Sequence, residues 1–114
     1  MKLHEIKLNI NFCDAVLNGE KTFEIRRNDR GYQRGDYVRF TATDFDKETE
    51  EFLPCGHEVD DHIYEIDYVL SGWGLRDGYV AFAIKDIGTV GYDEAGNEIM
   101  PDTEEVEAEH EDDR

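Results

Sequence analysis

Gly19-Glu20-Lys21-Thr22-Phe23-Glu24-Ile25-Arg26 reads as a strand that starts directly behind a helix-stopping glycine. Side chains of an extended strand alternate between two faces. Lys21, Phe23 and Ile25 then fall on one face, and Thr22, Glu24 and Arg26 on the other. Such a strand is expected to bury Phe23 and Ile25 and to show its polar row to solvent. Lys21, at the strand start, can swing to either side. The expected result is a compact mixed-charge cluster on a rigid element, suited to holding a polar ligand.

On the N-terminal side, Leu3, Ile6, Leu8 and Ile10 supply the apolar positions of a strand over residues 2–10. Asn11 is placed to cap a short helix by accepting a free N–H of its first turn. Phe12, Val16 and Leu17 share one face of that helix. Asn18-Gly19 ends it, because glycine takes the left-handed geometry of a helix C-terminus without steric cost. On the C-terminal side the second strand runs to Arg27, and Asn28-Asp29-Arg30-Gly31 is a turn cluster. A third strand spans Tyr37 to Thr43. Residues 44–55 are acidic, carry Pro54 and read as a loop. A fourth strand runs from about His57 to Leu70, with a slip between Ile63 and Ile66 that marks a bulge. After the loop Ser71-Gly72-Trp73-Gly74-Leu75, the run Tyr79 to Lys85 is apolar enough for a strand buried on both faces. Phe23, Phe40 and Phe82 are assigned to the core. Several strands, one helix and no β–α–β alternation define a mainly β chain of α+β type, folded as a small barrel or curled sheet.

The octapeptide also reads Gly-x-Lys-x-x-Glu-x-Arg, which resembles the signature of the ASCH domains, relatives of the PUA RNA-binding fold. It is followed in order by Arg26-Arg27-Asn28-Asp29-Arg30, Gly35-Asp36 and Gly74-Leu75-Arg76-Asp77-Gly78-Tyr79-Val80. Together these look like the ASCH-like subfamily of small, often phage-borne DUF3850 proteins, over about residues 3–86. The resemblance implies a PUA-like β-barrel and an RNA or nucleotide-like ligand. In related ASCH amidohydrolases acting on acetylated cytidine, the motif lysine is implicated as catalytic, and Lys21 matches it. Those enzymes carry threonine where this chain has Glu24. They also use a glutamate from a helical insertion for which Leu75-Arg76-Asp77-Gly78 leaves no room. A hydrolase or ribonuclease built here would need a different pair, Lys21 as base and Glu24 orienting it.

A chain of 114 residues forms one domain, expected over residues 1–88, with an acidic, disordered tail over 89–114. A weak hairpin around Ala95-Gly96-Asn97 is the one structured alternative inside that tail. No apolar run approaches the roughly 20 residues of a membrane span. Lys2, His4, Glu5 and Lys7 interrupt any signal-peptide core. A cytoplasmic, monomeric protein without cofactor is expected. Cys13 reads as a small buried apolar residue. Cys55 with His57 and His62 falls short of a zinc ligand set, so no metal is expected.

The net charge of −17 is unevenly spread. Residues 89–114 carry eleven acids against one base, and residues 37–88 twelve acids against four bases. Residues 1–36 carry seven bases against six acids, gathering Lys21, Arg26, Arg27, Arg30 and Arg34 around the octapeptide. Guanidinium groups match phosphate oxygens in bidentate geometry. With a pI near 4.4 any RNA contact is expected to be short and local, so that a pocket for one nucleotide or base fits better than an extended groove. The expected ligand residues are Lys21, Thr22, Glu24, Arg26, Arg27 and Arg30, with Trp73 or Tyr79 stacking on a base. The bland counterpart is a Lys–Glu–Arg salt-bridge network with aromatics packed over the barrel end. The glycines Gly72, Gly74 and Gly78 read as turn formers. The acidic tail reads as a solubilising segment, as a competitor for the basic cleft, or as a lure for a basic protein partner.

Overall fold

The computed structural model describes residues 1–101, together with the backbone of residues 107–108. Strand β1 (Lys2–Asn9) leads into helix α1 (Ile10–Leu17), then β2 (Phe23–Arg27), β3 (Tyr37–Asp46), β4 (Glu51–Pro54), a 3-10 turn (Glu58–Asp61), β5 (His62–Ser71) and β6 (Tyr79–Thr89). The short strands β7 (Gly91–Tyr92), β8 (Glu98–Ile99) and β9 (Glu107–Ala108) follow. The main sheet runs in the order β2-β6-β5-β3-β1-β9, with β4 folded onto β3 as a hairpin. The segment read as an acidic loop therefore contains β4, and β3 runs on to Asp46. Its hairpin is held on its outer side by Phe45 against Phe52, whose ring centroids lie 5.4 Å apart.

The mainly β architecture with one short helix is as expected, but the sheet does not close into a barrel. At its open side β9 pairs with only Lys2 and Leu3 of β1, and beyond them β1 faces β2 with no ladder between the two. Arginine side chains cross this seam in place of backbone pairing. Arg26 Nη2 donates to the Lys7 carbonyl at 2.7 Å, and Arg30 Nη1 donates to the Glu5 carbonyl at 3.0 Å.

The core is built from alternate residues of the strands: Ile6 and Leu8 of β1, Val38, Phe40 and Ala42 of β3, Tyr64 and Ile66 of β5, and Val80, Phe82 and Ile84 of β6. Helix α1 adds Cys13 and Val16. Asn9, not Asn11, caps this helix, its side chain accepting from the Asn11 N–H at 2.9 Å. Gly19 follows with φ +78°, the left-handed turn that sends the chain into β2. The bulge expected in β5 is present, with register shifts between Ile63 and Tyr64 and between Ile66 and Tyr68. Strand β6 is buried on one face only, since Ala81 and Ala83 remain partly exposed.

The facing of β2 reverses the expectation. Phe23 and Ile25 are about half exposed, at 48% and 53%, while Glu24 is buried. The antiparallel register with β6 explains this, because cross-strand neighbours share a face. Glu24 sits opposite Phe82 and Arg26 opposite Val80, both core residues, so the charged pair is turned inward. Phe23 and Ile25 lie opposite Ala83 and Ala81 and cover these small residues on the outer face.

Of the segment expected as a tail, residues 89–101 are described. Val90 is buried with Tyr37 and Ile63, and Met100 packs against them. β7 and β8 form the two-stranded hairpin around Ala95-Gly96-Asn97. Arg39 of β3 holds Glu98 of that hairpin through two hydrogen bonds of 2.9 and 3.0 Å. Residues 102–106 and 109–114 lie outside the described residues.

Candidate functional site

The seam opens into two adjoining hollows. One, of about 530 Å³, is lined by Leu8, Phe12, Phe23 and Ile25 together with Lys21, Glu24 and Arg26. The other, of about 420 Å³, is lined by Ile6, Lys7, Arg26, Arg27, Asp29, Arg30 and Tyr32. Arg26 and Lys7 belong to both. The first compartment is mostly apolar with a charged floor, and the second is rich in guanidinium groups. The amine, carboxylate and guanidinium of the octapeptide thus do come together at an open cleft.

Glu24 organises the floor. Its side chain is 4% exposed and lies between Lys21 and Arg26. Lys21 Nζ contacts one carboxylate oxygen. Arg26 Nε and Nη2 donate to the other oxygen at 2.9 and 2.7 Å. Lys21 Nζ also donates to the Phe23 carbonyl at 2.7 Å. It lies 5.3 Å from the ring centre of Phe12 and 5.0 Å from that of Phe23, within cation–π range. A buried carboxylate without cations would be prohibitively costly. With both it fixes two positive groups on the cleft wall. Glu24 therefore positions Lys21 and Arg26 on the wall of the open cleft.

The other expected ligand residues divide. Arg27 and Arg30 line the guanidinium-rich compartment. Tyr79 is in neither compartment. Its ring lies between Arg27, at 5.7 Å, and Arg76, at 5.9 Å, and it lines a third hollow continuing outward past Asn28 and Asp29. Thr22 is exposed and lines a separate hollow with Gly19, Asp67 and Lys85, while its carbonyl accepts from the Ile84 N–H at 2.9 Å. Trp73 is 90% exposed and lines neither seam compartment. Its φ of +51°, between Gly72 and Gly74 at +73° and +93°, belongs to a tight left-handed loop. Arg34 is exposed on the loop ahead of β3.

Two aromatics were overlooked at the site. Phe12 was assigned to the buried helix face and Phe23 to the core, yet each is 48% exposed and lines the larger compartment. No local signal marks this, because Phe12 and Val16 stand four residues apart, the spacing of a shared helix face. A buried polar cluster also went unread. His4 is fully buried, its Nε2 lies 2.9 Å from Asp36 Oδ2, and its ring lies 4.8 Å from Tyr32. Asp36 further accepts from the Lys2 and Gln33 N–H groups, each at 3.2 Å, tying β1 to the loop that enters β3.

The histidines considered for metal are engaged elsewhere. His57 Nδ1 accepts from the Val59 N–H at 2.9 Å while Nε2 meets Asp14 at 2.8 Å, and His62 Nδ1 meets Asp86 at 2.7 Å. Among the described residues no group of three or more His, Cys, Asp or Glu is placed to hold a metal ion. Among them, too, no helix is long and apolar enough to cross a membrane.

Fold and site together define a small open-sheet β protein with a cation-lined seam. Residues 3–84 match the family described as "Domain of unknown function (DUF3850)", and the chain belongs to that family. A curated relative, the "Uncharacterized 12.9 kDa protein in GpA 3'region" of Escherichia phage P2, is 51% identical over 35 residues. That match covers 31% of this chain and 32% of the phage protein, so the chain spans about a third of the length of the relative it matches.

Proposed function

We propose that the seam is a binding cleft for RNA or a nucleotide-like ligand, used in the manner of an ASCH or PUA-like module. The observation that carries this reading is the pairing of the two compartments. An apolar hollow edged by two half-exposed phenylalanines adjoins a hollow edged by three arginines. A base would lie against Phe12 and Phe23, where stacking contributes about 1–3 kcal/mol. Its phosphate would meet Arg26, Arg27 and Arg30, whose planar forks match phosphate oxygens. Lys21 would supply a further positive group above the base. Because the positive groups are few and local, the reading is one or two nucleotides rather than a long groove. Lys21 is engaged by Glu24 and the Phe23 carbonyl, which supports a binding part for it ahead of a hydrolytic one.

The test is fluorescence anisotropy with short single-stranded and hairpin RNA, and with nucleoside monophosphates as competitors, at low salt. Arg27→Ala, which removes a stacked surface arginine, is expected to weaken binding about tenfold and to reduce the salt slope by about one phosphate contact. Phe12→Ala is expected to weaken binding with the salt slope unchanged. No binding at low salt, or equal affinity for both variants and the parent chain, would overturn the reading.

A further inference from the structure

We infer that the seam takes a single-stranded RNA dinucleotide step with its two bases splayed apart, one on each side of a single bound phosphodiester. This rests on the reading of the seam proposed above and adds a second base site to it. The three hollows along the seam are contiguous. Lys7 and Arg26 are shared between the first and the second, and Arg27 and Asp29 between the second and the third. Their chemistry alternates in the same order. Two half-exposed phenylalanines come first, three arginines stand in the middle, and the Tyr79 ring with Arg76 comes last.

The β2–β6 ladder fixes the spacing of the two ends. Phe23 and Arg27 lie on the same outer face of β2, and Tyr79 is the cross-strand partner of Arg27. At about 3.3 Å per extended residue, Phe23 and Arg27 stand roughly 13 Å apart. Stacked neighbours in a duplex are only about 3.4 Å apart along the axis. Two adjacent bases can therefore reach both ends only when unstacked, the form in which single-stranded RNA is read on aromatic rings and guanidinium planes. The guanidiniums of Arg27 and Arg76 lie 5.7 and 5.9 Å from the Tyr79 ring centre, and a base would continue that stack. Asp29 and Asp77 also line the third hollow, so it suits a base and a ribose hydroxyl and disfavours a further phosphate.

The test titrates the full chain by NMR at low salt with adenosine monophosphate, with the dinucleoside monophosphate ApA, and with a blunt RNA duplex. ApA carries less charge than adenosine monophosphate, so tighter binding of ApA cannot come from charge alone. ApA is expected to bind about tenfold more tightly, the gain of one further stacked base. The Arg76 Nε–Hε and Gly78 amide signals should shift with ApA and stay in place with adenosine monophosphate. The duplex should not compete with ApA. Arg76→Ala and Tyr79→Ala should each bring the preference for ApA down toward one, and Tyr79→Phe should keep it. Arg76 is exposed, so its variant reads out the site even where Tyr79→Ala fails to fold. Equal affinity for the two small ligands, or a preference that Arg76→Ala leaves intact, overturns the second base site while the seam reading stands. Competition by the duplex overturns the splayed arrangement. No binding of either small ligand overturns both readings.

Discussion

The two edges of β1 solve the same problem in opposite ways. Toward β3, seven consecutive residues from Leu3 to Asn9 pair in parallel, and the core behind them is apolar. Toward β2, β9 pairs with only Lys2 and Leu3, and beyond it the carbonyls of Glu5 and Lys7 are met by arginine side chains. A backbone ladder satisfies peptide groups whatever the side chains are, and it leaves no space. A side-chain bridge requires particular residues, holds the strands apart, and leaves charged groups beside a hollow. An unpaired strand edge is otherwise an invitation to aggregation. Closing this one with long cations protects it and keeps a cleft open. The difference teaches that on the open side of the sheet residue identity decides what lines the hollow, while on the laddered side it decides how the core packs.

The largest expected effects set one edge against the other. Phe40→Ala, on the laddered side, removes a fully buried ring and should cost about 3–5 kcal/mol. Glu24→Ala, at the seam, removes the carboxylate from between two cations and should cost a similar amount, about 3–5 kcal/mol. The causes differ, and salt separates them. After Glu24→Ala, Lys21 and Arg26 repel one another, so part of the loss should be recovered at high ionic strength. The loss from Phe40→Ala should not depend on salt. Urea unfolding of both variants at low and high salt decides the matter. Equal salt responses would break the comparison, because the seam would then be ordinary core.

What the sequence reveals follows the same division. The laddered side was legible because burial there obeys simple alternation. Ile6 and Leu8, Val38 and Phe40, and Val80, Phe82 and Ile84 all behave as a period of two demands. The irregular β5 was legible through its slipped alternation. The octapeptide was legible as a compact charged cluster, and its charged groups do line the seam, yet its facing was inverted. Hydrophobic pattern places Phe23 and Ile25 inside. The fold places Glu24 and Arg26 there, because pairing with β6 sets the face and Glu24 brings its own counter-charges. No local rule contains that information, since it depends on a partner strand more than 50 residues away. Closure into a barrel failed for a related reason. Strand count and helix count are the same for a closed and an open sheet, and only the reach of Arg26 and Arg30 across the gap tells them apart. The hairpin of residues 91–99 was visible only as a weak alternative at Ala95-Gly96-Asn97 within a segment expected to be disordered, because the apolar cluster beside it, Tyr37 and Ile63 with Val90 and Met100, joins residues far apart in sequence. Its anchor, Glu98 on Arg39, lies 59 positions away in sequence and could not be read.

That anchor offers a smaller effect that sharpens the comparison, because it is another long-range arginine bridge, here without a cleft. Hydrogen bonding to Arg39 holds the Glu98 carboxyl below its ordinary value. Backbone hydrogen bonding, chiefly from Asn97, does the same for Asp93 in the turn. A carboxylate whose folded value is depressed stabilises the fold above its unfolded value. That contribution is lost as pH falls through the folded value. The hairpin should therefore be indifferent to pH through neutrality and loosen on acidification below the usual carboxylate range. The Arg39–Glu98 pair is partly exposed, so its own contribution should be about 1 kcal/mol or less. Amide shifts of Arg39 and residues 91–99, followed from neutral pH to pH 3, provide the measurement. A hairpin that stays docked when Glu98 is protonated would show that Val90 and Met100 hold it by packing alone.

The smallest effect concerns reactivity more than stability, and it probes how tightly the laddered side is sealed. Cys13 is fully buried against β1, with Sγ 3.8 Å from the Leu8 carbonyl and 3.5 Å from that of Asn9. Burial pushes its thiol up to about 11, with Asp60 the next contribution. Cys55, beyond the end of β4, is exposed. At pH 8 an aromatic disulfide reagent should label one thiol per chain quickly, at Cys55. Cys13 should react only at the rate of opening or unfolding, because reaction needs both access and the thiolate. The sign of the linkage also follows. Above about pH 9 the unfolded chain can ionise Cys13 while the folded chain still holds the proton, so stability should decline as pH rises toward 11. Rapid labelling of Cys13 in the folded chain would mean that β1 parts from α1 on its laddered side as well. The contrast between a sealed edge and an open one would then be lost.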